Sequence, residues 1–307
     1  GAAFTFSDNA TVLGSVAIQQ PTTLAIIAGD VTGNARGTSA VDIQSTRTAV
    51  TQVASGTRAS AYGVKNTAGG TDSTAVGSLN TVSGIGATAV GFTNTVTSAD
   101  SAAILGYLNT VTAANSFIIG QNNSVAASGG TVAGLNNTVS GVGSTSNTII
   151  GNGNTSSESF NNLIGVNNTA SGDFGTFVGQ ESTIGGSGNG GISYGASVGG
   201  TFSAALGVYN VTTTGFDGQA SIGYATTTGA DYAVAVGSGI TNNVASSAKF
   251  GTATNYLFVG DTGAFSGINT EAPASTFQVE GSLGLYYRAI TALRTLDATD
   301  QTVNCTS

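Results

Sequence analysis

The sequence predicts an all-β chain wound as a β-solenoid with coils of about 14 residues, and three observations carry that prediction. A phrase recurs almost to the residue: Thr74-Ala75-Val76-Gly77-Ser78-Leu79-Asn80-Thr81-Val82 returns as Thr88 to Val96 and again as Ala103 to Val111. Its anchor glycines, Gly63, Gly77, Gly91, Gly106, Gly120, Gly134, Gly151, Gly165 and Gly179, are spaced 14, 14, 15, 14, 14, 17, 14 and 14 residues apart. The composition agrees. Only 7% of the 307 residues are charged, against about a quarter in ordinary globular proteins, while glycine supplies 47. Abundant glycine often means disorder, but here 40% of residues are apolar and the glycines are periodic.

Aligned on the anchor, the columns of the repeat differ in character. The residue just before it runs Val76, Val90, Leu105, Ile119, Ala133, Ile150, Ile164 and Val178. The residue two before runs Ala75, Ala89, Ile104, Ile118, Val132, Ile149, Leu163 and Phe177. Neighbouring strand residues point to opposite faces, so a strand apolar at both positions is expected to be buried on both sides. One face lines the coil; the other needs a second surface, which a thin coil does not supply. The expectation is an oligomer packed around a symmetry axis.

Three residues after the anchor comes an asparagine column: Asn66, Asn80, Asn94, Asn109, Asn123, Asn137, Asn154 and Asn168, closed by Ser182. Asn tolerates the left-handed conformation a corner needs, and stacked amides hydrogen-bond from coil to coil. Both roles are expected. A Thr or Ser follows each Asn, and then a mostly apolar residue such as Val82, Val96 and Val111, which reads as a half-buried strand with Val inward and Thr outward.

Four segments are expected. Residues 1–31 are an N-terminal β segment, an attachment arm or an irregular cap. Residues 32–62 are a lead-in whose Arg36, Arg47, Arg58 and Asp42 suit a capped solenoid end. Residues 63–253 are the repeats; beyond Gly179 the glycines at 195, 207, 223, 237, 251 and 260 keep the apolar-Gly phrase, with insertions near Gly185–Gly191 and Thr212–Gly218. Fifteen anchors then give a rod of roughly 70 Å at about 4.8 Å per coil. Residues 254–307 leave the repeat, and Tyr286 to Leu296 form a strand or short helix leading toward a further module. A chain that starts at Gly1 is expected to be a processed product, a fragment or a sequence with its start missing, and secretion through a standard signal would need sequence upstream of it.

The phrase Thr-Ala-Val-Gly-x-x-Asn-Thr-Val-x-x-Gly resembles the head repeats of trimeric autotransporter adhesins of the YadA type, over roughly residues 60 to 250. The resemblance implies a left-handed parallel β-roll, three chains around one axis, and an adhesive role. The flanks, Gly33-Asn34-Ala35-Arg36-Gly37, Thr51 to Gly56 and Gly267 to Ser282, are similar to segments of phage tail fibres that carry such heads. They imply a virion fibre that contacts other virion proteins and a host-surface glycan or protein.

Chemistry is sparse. There is no His and one cysteine, Cys305, so neither a zinc site nor an intrachain disulfide is expected. Gly195-Ala196-Ser197-Val198-Gly199 fits a nucleophile elbow without any histidine base, and Gly186 to Gly191 has dinucleotide-type spacing without a strand–helix unit. Glu158 and Asp173 fall on neighbouring coils as a carboxylate pair, with solvated surface acids the plainer reading. No enzyme activity, cofactor or metal is expected. The net charge of −8, with no Lys or Arg between Lys65 and Lys249, argues against nucleic acid and anionic membranes, and no run suits a bilayer span.

Phe92, Tyr107 and Tyr224 directly follow anchors and are candidates for surface contact. Three functions remain: a viral fibre displaying a host-binding tip, a bacterial autotransporter-type adhesin, and an ice-binding solenoid suggested by the stacked Thr81, Thr95 and Thr110.

Overall fold

The computed structural model describes residues 26–29, 32–97, 100–141, 145–260, 266–269 and 277–279. Most of the expected N-terminal arm and the stretch from Tyr286 to Leu296 lie outside them.

The described residues contain strands, turns and bends and no helix. Each coil contributes one five-residue strand, such as Phe117–Gln121, and one two-residue strand, such as Ser124–Val125. The longer strands form a sheet of 19 strands, parallel from Ile26–Gly29 to Ser247–Thr252 and antiparallel on either side of Tyr256–Gly260, and the short ones stack in parallel into a second sheet of 13. Pairing is in register, so that Gly106, Gly120, Gly134 and Gly151 lie side by side. Thr110 likewise lies between Thr95 and Ser124. From Gly63 to Gly251 there are thirteen rises, roughly 62 Å at ~4.8 Å each. The stacking begins before Gly63: Val41–Gln44 pairs with Ser60–Val64, and Ile26–Gly29 with Val41–Gln44.

Strand register corrects three expectations about the later coils. Gly179 pairs with Ser193, which pairs with Gly207, so the anchor in that coil is Ser193 and Gly195 belongs to the next corner. Fourteen residues separate each of these, so no insertion lies at Gly185–Gly191. The step from Gly207 to Gly223 is 16, in keeping with two extra residues near Thr212–Gly218. Gly260 is no anchor either, because Tyr256–Gly260 turns back antiparallel to Ser247–Thr252.

The core is the narrow space between the two sheets. Ile104, Ile118, Val132, Ile149, Leu163 and Phe177 from the long strands are fully or almost fully buried. So are Val82, Val96, Val111, Val125 and Val139 from the short ones. Side-chain sizes compensate between coils: Phe177 lies so close over Gly191 that a Cβ there would approach its ring to 2.6 Å. Toward the C-terminus the core turns polar, and Ser221 Oγ lies 2.6 Å from Thr226 Oγ1.

The asparagine column forms a continuous ladder. Each Oδ1 accepts both the backbone N–H and the Nδ2–H of the next Asn, as from Asn109 to Asn123 at 3.0 and 2.9 Å. Each Nδ2 also donates to the carbonyl of the following anchor, Asn123 to Gly134 at 2.9 Å. The left-handed half of the expectation is corrected. The residue with positive φ is the one before the Asn: Leu79 at 58°, Leu108 at 56°, Asn122 at 54° and Asn136 at 56°. The Asn itself is thereby freed to turn its amide inward.

The anchor needs glycine for two reasons. Gly120 has φ 136°, and a Cβ on it would overlap the carbonyl oxygen of Gly134 in the next coil. At the N-terminal end, Gln44 takes the place of a ladder Asn, its Oε1 accepting the Asn66 N–H at 2.6 Å. Behind it Asp42, fully buried, accepts from Arg36 Nε at 2.6 Å, Arg47 Nη2 at 2.7 Å and Gln44 Nε2 at 2.9 Å. Charges withdrawn from water need such partners, and together these side chains form a buried polar cluster within residues 32–62. Arg58 is different: it forms an exposed pair with Asp72 one coil on, at 2.6 and 2.5 Å.

Candidate functional site

The outward face of the long sheet carries a row of exposed apolar side chains. The column before the anchor continues through Ile43, Tyr62, Val76, Val90, Leu105 and Ile119 to Phe250, every member in register with the next coil. In the single chain this column lies open, as expected of a thin coil with no second surface to offer, while the residues two before the anchor are buried: Leu105 is 49% exposed and Ile192 62%, against 1% for Ile104. The alternation explains the difference. Residues two before the anchor point into the coil, and those one before point to the open side.

The two ends of each long strand are left-handed corners. One lies five residues before the anchor and carries Phe160, Phe174, Phe202 and Tyr232, all with positive φ. Phe160 and Phe174 stack with centroids 4.9 Å apart. The other lies just after the anchor. There the expected pair, Phe92 and Tyr107, is brought together, stacked at 5.4 Å with an interplanar angle of 16°.

Tyr224 is far along the rod from that pair and has different neighbours. Its ring meets Tyr209 at 6.1 Å and 78°, and Tyr209 meets Tyr194 at 5.4 Å and 72°. Tyr194 follows the irregular anchor Ser193, and Tyr209 sits one position further on than Tyr224, so no glycine phrase marks this cluster in the sequence. The Glu181 carboxylate, with Tyr209 beside it, favours the protonated Tyr194 hydroxyl and raises the Tyr194 pKa above its ordinary value. Gln180 Nε2 donates to the same carboxylate at 3.0 Å.

The acids of the other corner act as braces. Asp100 accepts the Ile85 N–H at 2.9 Å, Asp173 the Ser159 N–H at 2.9 Å, and Asp217 the Thr201 N–H at 3.1 Å. Asp173 is thus engaged with the backbone beside Glu158, which is itself exposed. Among the described residues no three His, Cys, Asp or Glu side chains gather as a metal site. The anchors Gly77, Gly91, Gly106, Gly120, Gly134, Gly151, Gly165 and Gly179 and the asparagines Asn80, Asn94, Asn109, Asn123, Asn137, Asn154 and Asn168 are structural, tied to one another by the ladder. No protein-family model matches this chain, and no curated protein does.

Proposed function

We propose that this chain is the rod of a homotrimeric surface fibre, a phage tail fibre in its most economical form, that extends and presents a host-binding end. The unbroken aliphatic column on an in-register parallel sheet carries this reading. Parallel sheets are ordinarily covered on both faces. A face about five residues wide and thirteen rises long spans roughly 17 by 62 Å, or about 1,050 Å², against ~800 Å² per partner in a standard stable interface. Three such faces turned to a common axis cover one another. The partners are then two further copies, the neighbouring virion proteins and a host-surface glycan or protein, and the location is the virion or the cell exterior. Light scattering tests the core of this: a mass three times 29.9 kDa is expected, and a monomer defeats it.

An autotransporter-type adhesin uses the same rod. Immunogold labelling of phage particles against bacterial surfaces separates the two. The ice-binding reading draws on one observation, the in-register row Thr81, Thr95, Thr110 on the short-strand sheet. A half-exposed sheet is polar on its outer face in any case, so no thermal hysteresis is expected; measurable hysteresis would favour it.

A further inference from the structure

We propose that the corner formed by Tyr194, Tyr209 and Tyr224, with Gln180 and Glu181 beside them, binds a neutral glycan chain running along the rod. This rests on the adhesive reading above and names the ligand class and the place.

Four observations converge on this corner. Tyr209 holds φ at 55°, a conformation that residues with a Cβ adopt at a steric cost. The same position holds Asn122, Asn136, Gly153 and Asn167 in earlier coils. The aromatic group is therefore local and is not a demand of the repeat. Tyr209 and Tyr224 are 48% and 55% exposed, so their rings serve no core. Tyr209 is seated over Gly195, where a Cβ would approach its ring to 2.6 Å.

The rings alternate in orientation, at 72° and 78°, so successive faces open notches along the rod axis. The electron-rich face of an aromatic ring suits the polarised C–H face of a pyranose. The flanking Glu181 carboxylate, Gln180 amide and tyrosine hydroxyls supply the few convergent polar groups that fix a hydroxyl-rich ligand. Charge selects among glycans. Glu181 is acidic and no Lys or Arg occurs between Lys65 and Lys249, so sialylated or uronic chains meet repulsion with no cation to offset it.

The test uses the intact assembled chain and immobilised neutral oligosaccharides of hexose and N-acetylhexosamine, with sialylated and uronic counterparts. Binding to neutral probes is expected to weaken about tenfold or more in Tyr209→Gly, by less in Glu181→Gln, and not at all in Thr138→Ala. Glycine is at ease in the left-handed position, so Tyr209→Gly should keep its melting behaviour. The proposal falls if no neutral probe binds, if Tyr209→Gly binds as well as the parent, or if the anionic probes bind better. Adherence to whole cells is measured alongside. Adherence that survives Tyr209→Gly removes this site and leaves the adhesive reading intact; a parent chain that does not adhere removes that reading itself.

Discussion

Replacing Asn123 by Ala removes one rung of the ladder from the middle of the rod. Asn123 Oδ1 accepts the Asn137 N–H at 2.9 Å and the Asn137 Nδ2–H at 3.0 Å, while its own Nδ2 donates to Asn109 Oδ1 and the Gly134 carbonyl. Alanine takes these partners from the Asn137 N–H and the Gly134 oxygen in a place closed to water. Asn109 Oδ1 keeps the backbone N–H of residue 123. Two groups stranded at ~1–3 kcal/mol each give a loss of about 2–6 kcal/mol per chain. Urea denaturation reads the total, and hydrogen exchange at the Asn137 amide reads it locally, since coils couple chiefly to their neighbours. Asn123→Asp restores the acceptor but sets a second oxygen against the Gly134 carbonyl, so at neutral pH it should be at least as damaging. Thr138→Ala, on the outer face of a short strand, should stay within about 0.5 kcal/mol. A cost below ~1 kcal/mol for Asn123→Ala, with the Asn137 amide still protected, would refute the ladder as a source of stability.

Gly120→Ala should abolish folding of the central coils, because the added methyl meets the Gly134 carbonyl oxygen at a left-handed position; loss of soluble, protease-resistant rod is the readout. Ile119→Asp with Ile164→Asp should leave the coil folded, since both side chains lie on its open side, but convert the assembly to monomers in light scattering. Tyr194 should ionise later than an ordinary tyrosine because the Glu181 carboxylate beside it favours the protonated hydroxyl. A raised folded-state pKa means that this interaction stabilises the fold below tyrosine's usual value of about 10 and is lost as pH rises through the folded value. Glu181→Gln should lower the phenolate midpoint; an unchanged midpoint refutes the influence of Glu181. The Arg58–Asp72 pair has the opposite sign: the Arg58 hydrogen bond holds Asp72 below the ordinary carboxylate value, so its small surface contribution fades as pH falls through that lowered value. Arg58→Gln should bring the Asp72 resonance back toward an unperturbed titration by NMR.

The repeat made the coil legible before any coordinates. Alternation separated Val82 inward from Thr81 outward, and the spacing of Gly77, Gly91 and Gly106 set the rise, because a stacked coil must repeat its corner chemistry at each level. The asparagines announced hydrogen bonding between coils, yet the left-handed corner fell one residue earlier: an amide buried in a ladder cannot also serve as the turning residue. Gly195 looked like an anchor because glycine suits both positions. Only strand register, which pairs Gly179 with Ser193, tells them apart.

What the sequence determined by itself was therefore the period, the inward valines of the short strands and the presence of a second apolar face. What tertiary structure decided was which residues meet: Asp42 with Arg36 and Arg47, Asp173 with the Ser159 N–H, and Tyr209 with both Tyr194 and Tyr224. These contacts join positions five to fifteen residues apart through turns of unequal length. A single inserted residue shifts the neighbours there, so no local pattern encodes them.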